Sequence, residues 1–511
     1  MSYLVKRFIG KPREGIAMNS TQGLAQVLEK KQDIVKGDAS RVEKQRAAGK
    51  MTARERIAKL VDQGSFVEMD ALVSRNEEGA GVVTGYGTIR ERPVYLFAQD
   101  FTVHGGAMGE LQAAKILKVI DLAQKTGAPV LALCDSAGVR LDEGARAMDA
   151  YSKIFARLAR LSGVCPVISL VLGPCVGGAA LIARLADISI MAKSVGELMV
   201  FGPQVVSAST GKDYTAKTLG GADTLAAQGG VSLVAENEDA ALALAADVLD
   251  LLPGCNAEDA PIVDTDDLNR LMPNVDVADS GALLAALLDG GSFIELYSQY
   301  AKAIRIALGR LGGRTVGVVC SHAGENEGRL CPGACAKAAR FVRFCDCFSL
   351  PVVSIINSAG LKLVGPDDQT RMLTAAGQLL FAYAEATCPK VSVIVGNAIG
   401  VSYVAMGGKA NADLAYGWPG AVVSALSPEA AVQVLFSKEL AQSKEPALEG
   451  REKLVAEYAA NVADGVAAAR DGILDDVIEP EQTRKFMIAA LEMLSSKRDS
   501  NLPKKHGNLP L

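Results

Sequence analysis

The chain repeats itself over a distance the size of a domain. Residues 113–138, AAKILKVIDLAQKTGAPVLALCDSAG, align without a gap on residues 335–360, CAKAARFVRFCDCFSLPVVSIINSAG, which places Asp135 and Asn357 222 positions apart. Lys115 falls on Lys337, Pro129 on Pro351, and Ser136-Ala137-Gly138 on Ser358-Ala359-Gly360. Further on, CPVISLVLGPCVGGA from Cys165 meets CPKVSVIVGNAIGVS from Cys388, so that Gly173 matches Gly396 and Gly177 matches Gly400. The chain must therefore build two related units, each with the same pair of glycine-bearing turns.

A length of 511 residues exceeds one ordinary core, and 49% hydrophobic residues with 51 glycines fit two well-packed α/β domains. We expect one over 20–255 and one over 282–511, joined by a linker at 256–281, where the sequence is acidic, proline-punctuated and weakly periodic. A net charge of −5 and the lack of a Lys/Arg run argue against a nucleic-acid partner. Ten cysteines scattered through apolar runs do not form the framework of a small secreted domain. The N-terminal MSYLVKRFIGKPREG lacks the apolar core of a signal peptide, and the apolar region 166–192 is interrupted by Pro174, a glycine pair, Arg184 and Asp187. A reduced, cytoplasmic, soluble protein is expected.

Along the chain, RVEKQRAAGKMTARERIAKLVD reads as a solvated helix, a break at Gly49 and a second helix capped by Thr52. β-rich runs follow at GVVTGYGTIR and RPVYLFAQDF, with a counterpart at LGGRTVGVVCS. Next come a helix from about 109 to 125, a strand at 130–134, the turn Ser136-Ala137-Gly138, a helix to Leu161, a strand at 167–172 and a glycine turn into another helix. This order predicts a mostly parallel sheet flanked by helices. The basic, proline-broken end SSKRDSNLPKKHGNLPL predicts an extended tail lying on a neighbouring surface.

The two turns carry the chemistry. In GPCVGGA a strand runs into a helix, and the first amides of a helix have no intrahelical acceptor and sit at its positive pole. Such amides are the hardware of an oxyanion hole. Gly178, after Gly177, offers one donor; Val139, after Ser136-Ala137-Gly138, offers the second. Leu361 and Val401 are their counterparts in the second half, with Gly400 matching Gly177. A single turn of this kind would read as tight backbone packing, but both turns recur in both halves, which points to paired sites. Other groupings carry less. Cys331, Cys335, Cys345 and Cys347 lack paired metal-ligand spacing and follow a helical pattern, so no metal is expected. Asp135 and Ser136 lack a nucleophile elbow, and the histidines are at 104, 322 and 506 only, so a Ser-His triad is not expected. Arg54 and Arg56 could meet a phosphate but read more simply as solvated helix charges.

From GKMTARERI at Gly49, through GVVTGYGTI, FAQDFTVHGGAMGE, DSAGVRLDEG, GPCVGGA and GPQVVSASTG, to LLFAYAEATCPK, DDVIEPEQTR and KKHGNLPL, the chain resembles a known family. These segments are similar to the carboxyltransferase subunits of biotin-dependent acyl-CoA carboxylases and decarboxylases, of the propionyl-CoA carboxylase β and methylmalonyl-CoA decarboxylase α type. The resemblance implies duplicated crotonase-like (ClpP/crotonase) α/β domains. It implies that the first-half turns hold a coenzyme A thioester and the second-half turns hold biotin borne on a separate carrier protein. The thioester hole would then be formed by Val139, Gly177 and Gly178, lined by Ser136, Ala137 and Gly138, and the biotin hole by Leu361, Gly400 and Val401, lined by Ser402 and Val404. Implied partners are the biotin carboxyl carrier protein, a membrane decarboxylase β subunit or a biotin carboxylase subunit, and further copies of the chain in a dimer or trimer of dimers.

The second half departs from the family pattern. Asn357 replaces an acid and Ala359 a proline in NSAGLKLVGPDDQTRMLTAAGQL. The leading reading is a decarboxylase α subunit acting on a methylmalonyl-CoA-like substrate, to which the apolar Val404 within GVSYVAM contributes. Its alternatives are a propionyl- or acetyl-CoA carboxylase β subunit, a non-catalytic structural paralogue, and a crotonase-type hydrolase or hydratase, which would need Asp142 or Glu143 aimed at the thioester.

Overall fold

Runs such as Val130–Ser136, buried at every position, can satisfy both faces only inside a sheet covered by helices. The computed structural model describes residues 20–75, 78–290, 293–438 and 447–510; the N-terminal stretch read above for a signal peptide lies outside them. Each half is built on one eight-stranded sheet. The first runs in the order β1 (Val67–Met69), β2 (Val82–Ile89), β3 (Arg92–Gln99), β4 (Val130–Ser136), β5 (Val167–Val176), β6 (Ile188–Ala192) and β8 (Leu233–Ala235), with β7 (Glu197–Met199) also paired to β5. The second repeats it as β9 (Ile294–Leu296), β10 (Ile304–Leu311), β11 (Arg314–Ser321), β12 (Val352–Ser358), β13 (Lys390–Ile399), β14 (Leu414–Gly417) and β16 (Asp476–Val477), with β15 (Val422–Ser424) on β13. In both, the first three strands form an antiparallel meander and the others run parallel.

The duplication extends to turn chemistry. The β2–β3 hairpin turns through Arg90 and Glu91 with φ of 51° and 67°, and β10–β11 through Gly312 and Gly313 with φ of 59° and 79°. Two left-handed residues give the turn that matches strand twist, and the non-glycine pair needs support. Asp62 accepts from the amides of Arg90 and Glu91 at 2.9 and 2.8 Å, and Asp289 from those of Gly312 and Gly313 at 3.0 and 2.8 Å.

Helix α1 (Ala39–Ala47) leads to α2 (Ala53–Leu60), which Thr52 and Glu55 close with a reciprocal capping box. The cap is where the sequence placed it, but the helix is not solvated. Arg56, Ile57 and Leu60 are buried, and Arg54 pairs with Glu68 at 2.7 Å. The solvated-charge reading fails because α2 packs its inner face across the sheet. Helices α3 (Glu110–Thr126), α4 (Ala145–Leu161), α5 (Gly178–Leu185) and α6 (Glu238–Asp250) are among those that follow in the first half. Residues 256–281 lie along the second half: Arg270 donates to the carbonyls of Ala286 and Leu288, and the Met272 amide to that of Glu481. Helices α7 (Ser280–Leu287), α8 (Pro332–Cys347), α9 (Gln369–Glu385) and α10 (Thr483–Met493) follow. The tail lies on α9, where Asn501 donates to the Glu385 carbonyl and Lys504 pairs with the Glu385 carboxylate. Among the described residues, no helix is long and apolar enough to cross a membrane.

Candidate functional site

The site begins with a register break. Along β4 and β5, Cys134 faces Val171 but Ser136 faces Cys175, so β5 carries two extra residues at the level of Asp135. The second sheet has the same break, with Ile356 facing Ile394 and Ser358 facing Ala398. Extra residues bend a strand and release backbone groups from the ladder. Beyond the break the end of β5 pairs with β7, and the glycine turns follow.

After the break, the Ser136 hydroxyl accepts the Gly138 amide at 3.2 Å, and Gly138 adopts φ of 115°. Met108 then bridges Val139 in parallel: its amide donates to the Gly138 carbonyl, and its carbonyl accepts from Arg140. In a parallel bridge the residue lying between those two bonds points its own N–H away from the partner strand. Val139 is that residue. Leu361 has the same setting, with Leu330 bonded to the Gly360 carbonyl and the Lys362 amide. The other donors sit at helix starts. Gly177 has φ 62° and ψ −122°, and its amide donates to the Met199 carbonyl at 3.0 Å. Gly400 has φ 55° and donates to the Ser424 carbonyl at 2.9 Å. Gly178 and Val401 come next, at the N-terminal turn where amides face outward.

Tyr151 joins the two first-half turns. Its hydroxyl donates to the Gly138 carbonyl at 2.9 Å, and its ring lies so close to Gly178 that a Cβ there would fall 2.5 Å from Cε1. Burial pushes the phenol's pKa up, so the hydroxyl remains a donor. Nothing in the sequence marks this role, since Tyr151 reads as an ordinary apolar-face residue of α4.

Ser136 and Gly138 are buried and Ala137 is exposed beside them. Ser402 is fully buried, and its hydroxyl donates to the Ile399 carbonyl at 2.8 Å, so it ties the second-half turn together and faces inward. Val404, 51% exposed, lies one turn beyond Gly400. A cleft of about 890 Å³ adjoins this second pair of turns, with Glu327, Arg329, Ala359, Asn397 and Ile399 in its wall.

The carboxylates that a hydrolase or hydratase would need are occupied. Asp142 is held by Arg140 at 2.6 Å, and the hydrogen bond and charge of that guanidinium lower its pKa. Glu143 is buried and accepts the Glu110 amide at 2.7 Å, capping α3. His322 Nδ1 bonds Ser280 at 2.9 Å, and His506 lies in the tail. Cys335 and Cys345 are buried in α8, and burial pushes the Cys335 thiol up to about 12. Among the described residues, no group of three or more His, Cys, Asp or Glu could hold a metal ion.

Behind the first-half turns lies a cluster that sequence reading missed. Asp135, fully buried, receives Lys50 at 2.8 and 2.9 Å, Arg56 at 2.9 Å and Gln45 at 3.1 Å. The available signal was an acid at the end of an otherwise apolar strand, which needs buried cations within reach. In the second half Asn357 donates to the Val277 carbonyl at 3.1 Å and accepts the Asn397 amide at 3.0 Å. The side-chain amide suits this position where a carboxylate would not, because only its Nδ2 can donate to the Val277 carbonyl.

The carboxyl transferase domain model matches residues 44–509. The α subunit of methylmalonyl-CoA decarboxylase from Veillonella parvula is 41% identical over 97% of this chain and 100% of its own length. The propionyl-CoA carboxylase carboxyltransferase subunit of Haloferax mediterranei is 39% identical over the same shares. Among solved structures, the 12S transcarboxylase with methylmalonyl-coenzyme A and methylmalonic acid bound, described as a hexamer assembly, superimposes with a TM-score of 0.92 at 36% identity, covering 97% of this chain and 100% of that one.

Proposed function

The chain belongs to the carboxyl transferase domain family, and on that premise we propose that it moves carboxylate between an acyl-CoA and biotin borne on a carrier protein. The observation that carries this reading is the recurrence of both donor turns, each with an outward amide, in both halves. We assign the half spanning 20–255 to the acyl-CoA and the half spanning 282–511 to biotin. Val139 and Gly178 would receive the thioester oxygen as it gains charge when the α-carbon loses its carboxylate. Leu361 and Val401 offer the matching pair to the biotin ureido oxygen, and the residue behind them at the position of Asp135 is the neutral Asn357. Biotin, when bound, supplies the ureido nitrogen that carries the carboxyl group. The C–C bond to the carboxylate would break with its electron pair left on the α-carbon next to Val139 and Gly178, and biotin held by Leu361 and Val401 would supply the nitrogen to which the freed CO2 bonds and, in exchange, the proton that restores the C–H bond. No side-chain base is required, in keeping with the occupied state of Asp142 and Glu143.

The proposed direction is decarboxylation of a methylmalonyl-CoA-like substrate, supported by the full-length decarboxylase relative and by the apolar side chain of Val404 beside the second turn. A homo-oligomer is proposed in which the first-half turns of one copy face the second-half turns of another, as a dimer or trimer of dimers. Supporting this, Leu141 and Leu363, at matching positions just after the two turns, are 87% and 86% exposed, and Phe201 and Leu426 add to the same apolar surroundings. A biotin carboxyl carrier protein and a membrane decarboxylase β subunit are the proposed partners, and the cytoplasm the proposed location. The test is incubation of the purified protein with free biotin and a panel of carboxyacyl-CoAs. Biotin-dependent loss of the thioester's carboxyl group is expected; loss no faster with biotin than without it would overturn the proposal.

A further inference from the structure

Arg56 is fully buried and reaches three elements at once: Nη1 donates to Asp135 at the end of β4, Nη2 to the Leu172 carbonyl of β5 at 2.6 Å, and Nε to Glu238 at the start of α6 at 2.6 Å. Asp135 directly precedes the turn that presents Val139. Leu172 is one of the residues set free by the register break, six positions before Gly178. A single rigid fork therefore ties the roots of both first-half donor turns.

The second half shows how the same backbone is held without charge. Helix α7 follows α2 at a constant spacing of 227 positions, as β9 follows β1, which places Val277 at the position of Lys50 and Leu283 at that of Arg56. Leu283 is buried, Val277 contributes its carbonyl to Asn357, and the register break is unchanged. Lys50, Arg56 and Asp135 have thus become Val, Leu and Asn around an equivalent bulge. Burying ions carries a desolvation cost, and apolar replacements of similar volume are often as stable or more so. Maintaining the bulge does not account for the charged version.

We propose that Arg56, through Asp135 and the Leu172 carbonyl, is a positioning residue that fixes the spacing between the Val139 and Gly178 donors. The inference rests on the reading that these turns hold the acyl-CoA thioester. Arg56→Lys keeps the charge but cannot span both strands. Arg484→Lys is the control, since Arg484 is equally buried and pairs with Asp289 at 2.5 Å beside the second-half hairpin, away from the donor turns. Each variant is measured for kcat and KM toward the acyl-CoA and, without substrate, for amide exchange across residues 136–141 and 173–180.

Arg56→Lys is expected to lose roughly 10- to 100-fold in kcat, the scale of a small misplacement, with a smaller change in KM and faster exchange in those two segments. Arg484→Lys should show neither effect. Equal kcat losses in the two variants, or unchanged exchange in a folded Arg56→Lys protein, would overturn the proposal. If Arg56→Lys does not fold, the triple variant Lys50→Val, Arg56→Leu, Asp135→Asn copies the second-half set. Full kcat in that variant, or its failure to fold as well, rejects positioning in favour of a purely structural network. Wild-type protein that transfers no carboxylate refutes the functional reading, while the exchange comparison still decides the positioning claim.

Discussion

The hydroxyl of Tyr151 donates to the carbonyl of Gly138 at 2.9 Å, so one side chain of α4 fastens the turn that presents Val139. The same ring occupies the space a side chain at Gly178 would need. In the second half the matching helix position is Ala375, and the residue matching Gly178 is Val401. Small and large have exchanged places between the halves.

Gly178→Val should therefore damage the first site by two routes. Overpacking against Tyr151 costs about 1–3 kcal/mol, and displacement of the donor costs on the order of 10²–10³ in turnover. Adding Tyr151→Ala, to copy the second half, should restore most of the stability and little of the turnover. Thermal unfolding and steady-state kinetics on both variants separate the two effects; unchanged turnover in folded Gly178→Val would place the site elsewhere.

Tyr151→Phe removes the hydrogen bond and keeps the ring. The expected loss is about 0.5–1.5 kcal/mol in stability, with turnover falling more than acyl-CoA affinity as the Val139 turn loosens. Denaturant unfolding and a kcat against KM comparison check this.

Ser402→Ala tests which way the second-half turn faces. Because the hydroxyl bonds the Ile399 carbonyl inside the fold, the change should cost about 1 kcal/mol of stability and leave the KM for biotin unaltered. A selective rise in that KM would show that the hydroxyl faces biotin.

Asp187 gives a pH signature. Burial raises its carboxyl to about 6 in the folded protein, against an ordinary value of 3.8, while the Val167 amide and Arg340 oppose the rise. Between those values the folded state holds more protons than the unfolded state, so this group lowers stability as pH rises from about 4 through 6. Asp187→Asn, which can still accept from Val167, should stabilise by about 1–2 kcal/mol at pH 7, discounted for partial exposure, and change nothing below pH 4. Melting curves across that range test the sign.

The duplication, the parallel sheets, the Thr52 cap and the positions of the four glycine-bearing turns are legible because each depends on local pattern: apolar runs, glycine at left-handed positions, and motif recurrence. The Lys50–Arg56–Asp135 cluster was not. Its members are separated by up to 85 positions, and the helix carrying Arg56 has the charge content of a surface helix. Only the packing of α2 across the sheet turns Arg56 inward. Likewise Asn357 reads in the sequence as a lost acid, whereas its Nδ2 donates to the carbonyl of Val277, 80 positions away, which a carboxylate could not do.

If the two pairs of turns divide the substrates between them, equilibrium binding of methylmalonyl-CoA without biotin must depend on one pair alone. Gly177 and Gly400 are left-handed counterparts, and alanine strains either turn. We predict that Gly177→Ala weakens methylmalonyl-CoA binding by roughly tenfold or more, about 1.4 kcal/mol, that Gly400→Ala leaves it unchanged, and that both variants lose carboxyl transfer to biotin. Equal weakening by the two variants, or weakening by Gly400→Ala alone, would contradict the assignment.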